Sequence, residues 1–115
     1  MVRVGEVYMM ETSALSGADP KHSRPVVVVR VPDARIDPAD DRVWVVTRTT
    51  DLRQEGVKHP ADTSLRLDRP GVFAERYTRT ADIQAFDDPE VARWLGILDE
   101  RILRNVLSRF QSEDP

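Results

Sequence analysis

An arginine at the start of one apolar segment and two threonines at the end of another could together bind a phosphate group. Arg24 precedes a proline and a run of four valines, and Thr47 and Thr49 end the next apolar segment of the chain. Side chains alternate along a strand, so the two threonines share one side. A guanidinium binds phosphate oxygens through paired N–H donors, and a hydroxyl can donate to the same oxygens or position a nucleophile.

The short link between these two segments favours antiparallel pairing. Such a pair places Arg24 close to Thr49, with His22 on the same side as Arg24. An imidazole exchanges protons near neutral pH, so a cation, a hydroxyl and an imidazole would meet at one corner. The alternative is that Arg24 is a charge at the edge of the sheet that pairs with an acid such as Asp19 or Asp51.

Other catalytic constellations are absent from the sequence. The chain has no cysteine, and its two histidines, His22 and His59, do not make up a zinc ligand set. It contains neither a glycine-rich phosphate loop nor a Gly-x-Ser-x-Gly motif. The adjacent aspartates at 40–41 and 87–88 point apart in an extended chain and are interpreted as turn formers. We therefore predict neither a metal nor a cofactor.

The composition is that of an ordinary globular domain, except that nearly all of its basic residues are arginine. The chain of 115 residues has a formal net charge of -3, and all but two of its 17 basic residues are arginine. Arginine suits phosphate and base contacts, although it is also common in proteins of GC-rich genomes. Charges at Arg3 and Glu6 interrupt the amino-terminal segment, and no apolar run reaches about 18 residues. We expect no signal peptide, no membrane span and a cytoplasmic location.

Short strands and one helix are the elements that must position these side chains. The segment at 87–98 fits either a helix or a short strand ending in WLGIL, and the segments at 12–23 and 51–62 read as long loops. Strands are predicted by β-branched and aromatic residues between turn signals, at 4–11, 24–31, 42–50, 63–67, 71–79 and 80–86.

The carboxy-terminal segment predicts an amphipathic helix. Asp99 is placed as its N-cap, and the apolar residues that follow share one face: Ile102, Leu103, Val106, Leu107 and Phe110. Several short strands with one terminal helix predict a mainly β fold, a small barrel with a helix packed on it. We expect a single domain over 1–110 and a flexible tail at 111–115.

Several stretches of this chain resemble one family over about residues 2–110. VGEVYMM, HSRPVVVV, VVTRTTD, LDRPGVFAERYTRTADIQ and LGILDERILRNVLSRF occur in this order and at similar spacing in the MazF/PemK (Kid)-like toxins of type II toxin–antitoxin systems. RPVVVV is the most specific element, and the Thr-Thr pair that ends the next strand strengthens it. The resemblance implies an SH3-like (CcdB/MazF-type) barrel, a homodimer and a MazE-like antitoxin as partner. It also implies a ribosome-independent endoribonuclease that cuts single-stranded RNA at short specific sequences.

The resemblance assigns the catalytic pair to Arg24 and Thr49. In the implied metal-free reaction, the 2′-OH of the substrate attacks the neighbouring phosphorus and leaves a cyclic phosphate and a 5′-OH end. The chain differs from the family at Asp19, where a longer Glu is usual, and at Arg76-Tyr77, where an acid–amide pair is frequent, so the general base stays open. Residues predicted to bind RNA are Asp19, Lys21, His22, Thr47, Arg48, Thr50, Tyr77 and Arg79.

Two other functions stay open on this fold. A CcdB-like protein poisons DNA gyrase without catalysis through a Trp-Gly-Ile carboxy terminus. Here Trp94, Gly96 and Ile97 are followed by a predicted helix, so that end would not be free. The other alternative is a catalytically inactive barrel that only binds a partner.

Overall fold

One six-stranded antiparallel sheet and a carboxy-terminal helix make up the part of the chain that the structure describes. The computed structural model describes residues 1–112, with side chains up to Phe110. In these residues the spatial order of the strands is β4-β5-β3-β2-β1-β6, so β4 and β6 are edges and the sheet is not closed. The elements are β1 (Glu6–Glu11), β2 (Ser23–Arg30), β3 (Arg42–Thr49), β4 (Gly56–His59), β5 (Gly71–Asp82), β6 (Ala92–Ile97) and α1 (Glu100–Ser112). The predicted class, mainly β with a carboxy-terminal helix, is confirmed.

The valine run of β2 is buried because both faces of the sheet are covered. Val26 and Val28 lie in one apolar cluster, which the loop at 12–22 helps to cover through Leu15. Val27 and Val29 lie in the other, which α1 covers through Val106. We call these two sides the loop face and the helix face. A strand covered on both sides needs apolar residues at consecutive positions, which is what the run supplies.

Helix α1 begins where the sequence predicts. The Asp99 carboxylate accepts hydrogen bonds from the backbone N–H groups of Arg101 (3.0 Å) and Ile102 (3.3 Å), which confirms it as the N-cap. The predicted apolar face is also confirmed, because its side chains pack on the helix-face cluster. Of the predicted tail at 111–115, the first two residues belong to α1, and residues 113–115 lie outside the described residues.

Two predictions between 51 and 67 are wrong. The segment at 63–67 is not a strand: Thr63–Leu65 forms a 3-10 turn, and Arg66 has a φ of 58°, a left-handed conformation that ends it. The Asp62 carboxylate caps this turn by accepting from the backbone N–H of Ser64. The predicted loop at 51–62 contains the strand β4, whose four residues carry too little pattern to be recognised.

β5 is a single twelve-residue strand and not two short ones. Its pairing with β3 shifts: Val46 pairs with Thr78 but Arg48 pairs with Phe73. Four residues of β5, at 74–77, therefore lie opposite Thr47 alone and form a bulge. The predicted strand at 80–86 is only the end of β5 followed by a 3-10 turn, Ile83–Asp87. The ambiguous segment at 87–98 contains a strand, β6.

Candidate functional site

Strand register places Arg24 on the same face of the sheet as the threonines at the end of β3. The pairing of β2 with β3 begins at Val26 and Thr47, and Arg24 and Thr49 each lie two residues beyond that pair. Arg24 also pairs with Met10 of β1, a residue of the loop-face cluster. Because paired residues in a sheet share a face, Arg24 belongs to the loop face, at the rim of the apolar cluster.

β5 adds a second arginine to the same face. Arg79 alternates with Ala81, a member of the loop-face cluster, and pairs with Val45 of β3, another member. β2 and β5 are the two neighbours of β3 in the sheet. The loop face therefore carries Arg24 and Arg79 on either side of the strand that ends in Thr49.

A single buried carboxylate joins the two arginines. Asp19, in the loop at 12–22, accepts from Nε of Arg24 at Oδ2 (2.9 Å) and from Nη2 of Arg24 at Oδ1 (3.1 Å). Nη1 of Arg79 donates to Oδ2 (3.0 Å), and the backbone N–H of Lys21 donates to Oδ1 (2.9 Å). The sequence left open that Arg24 pairs with Asp19 or Asp51, and Asp19 is its partner.

The charge of this cluster is fixed at neutral pH. Hydrogen bonds from Arg24 foremost, with the Lys21 N–H and the charges of both arginines, lower the pKa of Asp19 to about 2, although burial acts in the opposite direction. One carboxylate and two guanidiniums leave a net charge of +1. We call Arg24, Asp19 and Arg79 the arginine cluster.

The side chain of Arg24 is still partly exposed. Its side chain is 15% exposed, whereas that of Asp19 is 1% exposed and that of Arg79 is 7% exposed. A guanidinium has five N–H donors, and Asp19 takes one on Nε and one on Nη2. Three donors on Nη1 and Nη2 remain without a hydrogen bond to residues 1–112, and two of them form the Nη1–Nη2 edge, whose fork geometry matches two phosphate oxygens.

The hydroxyl of Thr49 is available as a hydrogen-bond donor. Its Oγ1 accepts from the backbone N–H of Asp51 (3.1 Å), which leaves the O–H free to donate. Thr47 on the same face is fully buried, and its Oγ1 has no hydrogen-bond partner in the described part of the chain. Thr50 follows the end of β3 and is exposed.

Tyr77 lies in the β5 bulge between two cations. The guanidinium carbons of Arg79 and Arg76 lie 5.2 Å and 5.4 Å from the centre of its ring. Both distances fall within cation–π range. Tyr77 is half-buried, and through Arg79 it is continuous with the arginine cluster. The structure thus brings Tyr77 and Arg79 together with Arg24 and Asp19.

Lys21 and His22 follow Asp19 in the same loop, and both are exposed. The imidazole of His22 has an exposed fraction of 85%, and its Nε2 is 3.5 Å from Oε1 of Glu11. The polar group next to the imidazole is therefore an acid of β1 and not a group of the candidate site. Lys21 is exposed and contacts the cluster through its backbone N–H to Asp19.

Arg48 lies on the opposite side of the sheet from the arginine cluster. Its Nε donates to Nδ1 of His59 (3.0 Å), and its Nη2 donates to the carbonyl of Arg69 (2.6 Å). His59 packs against Phe73 of the helix-face cluster, and its Nε2 is 3.3 Å from Oδ2 of Asp62. Arg48 is thus not brought together with the other candidate residues, and its predicted RNA contact stays a prediction.

The sequence analysis missed this buried network, which we call the histidine network (Arg48, His59 and Asp62). Burial foremost, and then the charge of Arg48, lower the pKa of His59, while Asp62 acts in the opposite direction. Burial also lowers the pKa of Arg48. A histidine closely followed by an aspartate was the available signal, but the strand that carries His59 was itself not recognised.

Within residues 1–112, no three side chains of the His, Cys, Asp or Glu type are grouped as a metal-ion ligand set. The same residues include no helix long and apolar enough to cross a membrane.

Comparison with known proteins shows which solved structures share this fold. No family model and no curated protein matches the sequence. Among solved structures, the chain is similar to MazF (Form-I) from Deinococcus radiodurans, with 14% identity, a TM-score of 0.62 and coverage of 95% of this chain and 92% of that chain. It is also similar to the Mycobacterium tuberculosis toxin MazF-mt6, with 18% identity, a TM-score of 0.60 and coverage of 93% of both chains.

A third similar structure is a complex. A chain of MazE-MazF (Form-II) from Deinococcus radiodurans matches with 13% identity and a TM-score of 0.59, over 95% of this chain and 90% of that chain. These matches span nearly the whole chain, so the single sheet with its terminal helix is a fold that a bacterial toxin also has. That fold is the MazF fold.

Proposed function

We propose that this chain is a MazF-like toxin that cleaves single-stranded RNA, without a metal, through the 2′-OH of the substrate. The observation that carries the proposal is the arginine cluster on the same face of a MazF fold as Thr49. This cluster offers a net positive charge and a forked donor edge on Arg24, and Thr49 offers a hydroxyl that can donate. Those are the groups that a phosphodiester needs while it is being attacked.

The proposed reaction exchanges one phosphorus–oxygen bond for another. The 2′-oxygen forms a bond to phosphorus, the bond from phosphorus to the 5′-oxygen breaks, and the proton of the 2′-OH is lost while the 5′-oxygen gains one. Negative charge grows on the non-bridging oxygens, where Arg24 donates through its outer edge and Thr49 through its hydroxyl. An arginine keeps its proton in proteins, so Arg24 stabilises charge and does not act as the base.

RNA binding would extend from the arginine cluster along the loop face. Arg79 and Arg76 supply positive charge, and Tyr77 offers a ring on which a base can stack, a contact that contributes about 1–3 kcal/mol where it has been measured. The exposed predicted RNA contacts, Lys21, His22 and Thr50, would lie at the margin. Thr47 is buried on the same face, so we assign it a place beneath the bound RNA.

We further propose that a MazE-like antitoxin neutralises the chain and that the chain acts as a homodimer in the cytoplasm. Support comes from the similarity to the MazE-MazF complex. The positive charge of the arginine cluster also suits an acidic antitoxin segment that folds as it binds. An antitoxin that covers the loop face would exclude RNA by occupying the same site.

The test is cleavage of a mixed single-stranded RNA in EDTA by the purified chain. We expect cuts at specific sequences, and we expect Arg24→Ala and Thr49→Ala each to slow them by about 100- to 1,000-fold. Arg35→Ala is the matched control, because Arg35 makes the same two-point contact to an aspartate, Asp33, on the exposed surface. Intact RNA with correctly folded wild type would reject the proposal and favour a barrel that only binds a partner.

A further inference from the structure

Asp19 is buried beneath the two arginines, and this position does not suit a residue that contacts RNA. Its carboxylate receives four hydrogen bonds, and its side chain is almost fully buried while Arg24 above it is partly exposed. A carboxylate also repels a phosphate of like charge. Of the three side chains in the cluster, that of Arg24 is the most exposed.

The loop that carries Asp19 is held at its base and near its middle. At its base, the backbone N–H of Thr12 donates to the carbonyl of His22 (3.0 Å). Further along, the backbone N–H of Ser16 donates to the carbonyl of Thr80 (2.8 Å), and the N–H of Thr80 donates back to Oγ of Ser16 (2.9 Å). The carboxylate is therefore held in a fixed place between β2 and β5.

This placement determines how Arg24 can face a substrate. Because Asp19 holds the Nε–Nη2 edge, the plane of the guanidinium is fixed and the Nη1–Nη2 edge is turned away from the carboxylate. The same carboxylate holds Arg79, a residue 60 positions away in the sequence, and offsets the repulsion between the two cations. Neither arginine has to be oriented at the moment of reaction.

Building on the proposed function, we propose that Asp19 is a positioning residue that orients Arg24 and Arg79 for the scissile phosphate and does not itself contact RNA. Without it, Arg24 would have to be ordered during the reaction. The rate at saturating RNA would then fall more than RNA affinity, because orientation matters most where charge develops in the transition state.

The test compares Asp19→Asn with Asp33→Asn. The first removes the buried charge with little change of shape, and the second makes the same change in the exposed Asp33–Arg35 pair. Single-turnover cleavage is measured in EDTA at saturating RNA, and affinity is measured with a 2′-deoxy analogue of the substrate. We expect Asp19→Asn to lower the rate on the order of 10- to 100-fold with affinity within about threefold, and Asp33→Asn to change neither.

A double mutant tests whether Asp19 acts through Arg24. In the Arg24→Ala background, Asp19→Asn should slow cleavage much less than it does alone, because the group it orients is gone. If Asp19→Asn does not fold, Asp19→Ser replaces it. The shorter hydroxyl removes the carboxylate and cannot hold both arginines, so the rate should again fall without loss of affinity.

A spectroscopic measurement tests the orientation without RNA. The Nε–H proton of Arg24 should give a protected NMR signal in the wild type and in Asp33→Asn, and an exchange-broadened one in Asp19→Asn. A signal that stays protected in Asp19→Asn overturns the proposal.

Three kinetic results also overturn it, provided that the wild type cuts RNA. An unchanged rate in folded Asp19→Asn means no positioning role, a faster rate means that Asp19 competes with the phosphate, and weaker affinity at an unchanged rate means direct contact with RNA. A wild type that does not cut RNA rejects the proposed function itself, so the two failures are distinguishable.

Discussion

At the scale of single residues, one carboxylate determines what Arg24 can do. Asp19 holds one edge of the guanidinium and leaves the other for a ligand. The sequence presents two alternatives for Arg24, a pairing with an acid or a role in phosphate binding. The geometry makes the two compatible. The Asp19–Arg79 contact joins residues 60 positions apart, and no local pattern indicates it. Only the resemblance to the MazF/PemK family predicts that Arg79 belongs to the site.

The hydroxyl of Thr49 is the residue-scale group most easily isolated. Thr49→Val keeps the shape of the side chain but removes the donor, whereas Thr49→Ser keeps the donor. We expect Val to slow single-turnover RNA cleavage by about 100-fold or more and Ser to stay close to wild type. Thr49→Val also loses the hydrogen bond from the Asp51 N–H, so its free energy of unfolding should be lower by about 1 kcal/mol. Equal rates for Val and Ser would remove Thr49 from the chemistry.

At the scale of elements, the strongest patterns predicted the fold and the weakest failed. A run of four valines and a helix with one apolar face are both dictated by burial, so they were recognised. The strand β4 contributes only four residues, and the bulge at 74–77 depends on pairing with β3. Both are set by tertiary contacts that a local reading of the sequence does not contain.

The start of α1 offers a direct test at this scale. Asp99→Ala removes the acceptor for two backbone N–H groups, so we expect the free energy of unfolding in urea to fall by about 1 kcal/mol. Asp99→Asn is the control, since asparagine caps helices about as well. An alanine variant as stable as wild type would show that packing alone determines where the helix begins.

At the scale of the whole molecule, the two faces of the sheet keep the histidine network apart from the candidate site. The helix face holds the histidine network and the packing of α1, whereas the loop face holds the arginine cluster. The net charge of -3 therefore conceals a local positive site. Because these faces are separated by the sheet, changes in one network should leave the other largely intact.

Stability should depend on pH through His59. Burial and Arg48 lower the pKa of His59, so the folded protein binds fewer protons here than the unfolded chain, whose histidine pKa is about 6.5. The stability that neutral His59 contributes is therefore fully present above that value and is lost below it, as the pH falls through the lowered pKa of the folded state. We expect the free energy of unfolding to decrease between about pH 7 and pH 5.

Two variants separate this effect from other titrations. His59→Asn keeps an oxygen where Nδ1 accepts from Arg48 but cannot titrate, so its unfolding free energy should vary less over the same interval. His22→Gln changes the exposed histidine and should keep the wild-type dependence. The explanation fails if His59→Asn and wild type show the same slope.

The most direct measurement for the whole account is cleavage of an RNA with a single modified sugar. Once a cut site is mapped, the nucleotide on its 5′ side is replaced by its 2′-deoxy form, and the RNA is incubated with the chain in EDTA. Metal-free attack by the 2′-OH at Arg24 and Thr49 predicts that this cut disappears while cuts at unmodified sites in the same strand persist. Cleavage that continues at the 2′-deoxy position would contradict the account.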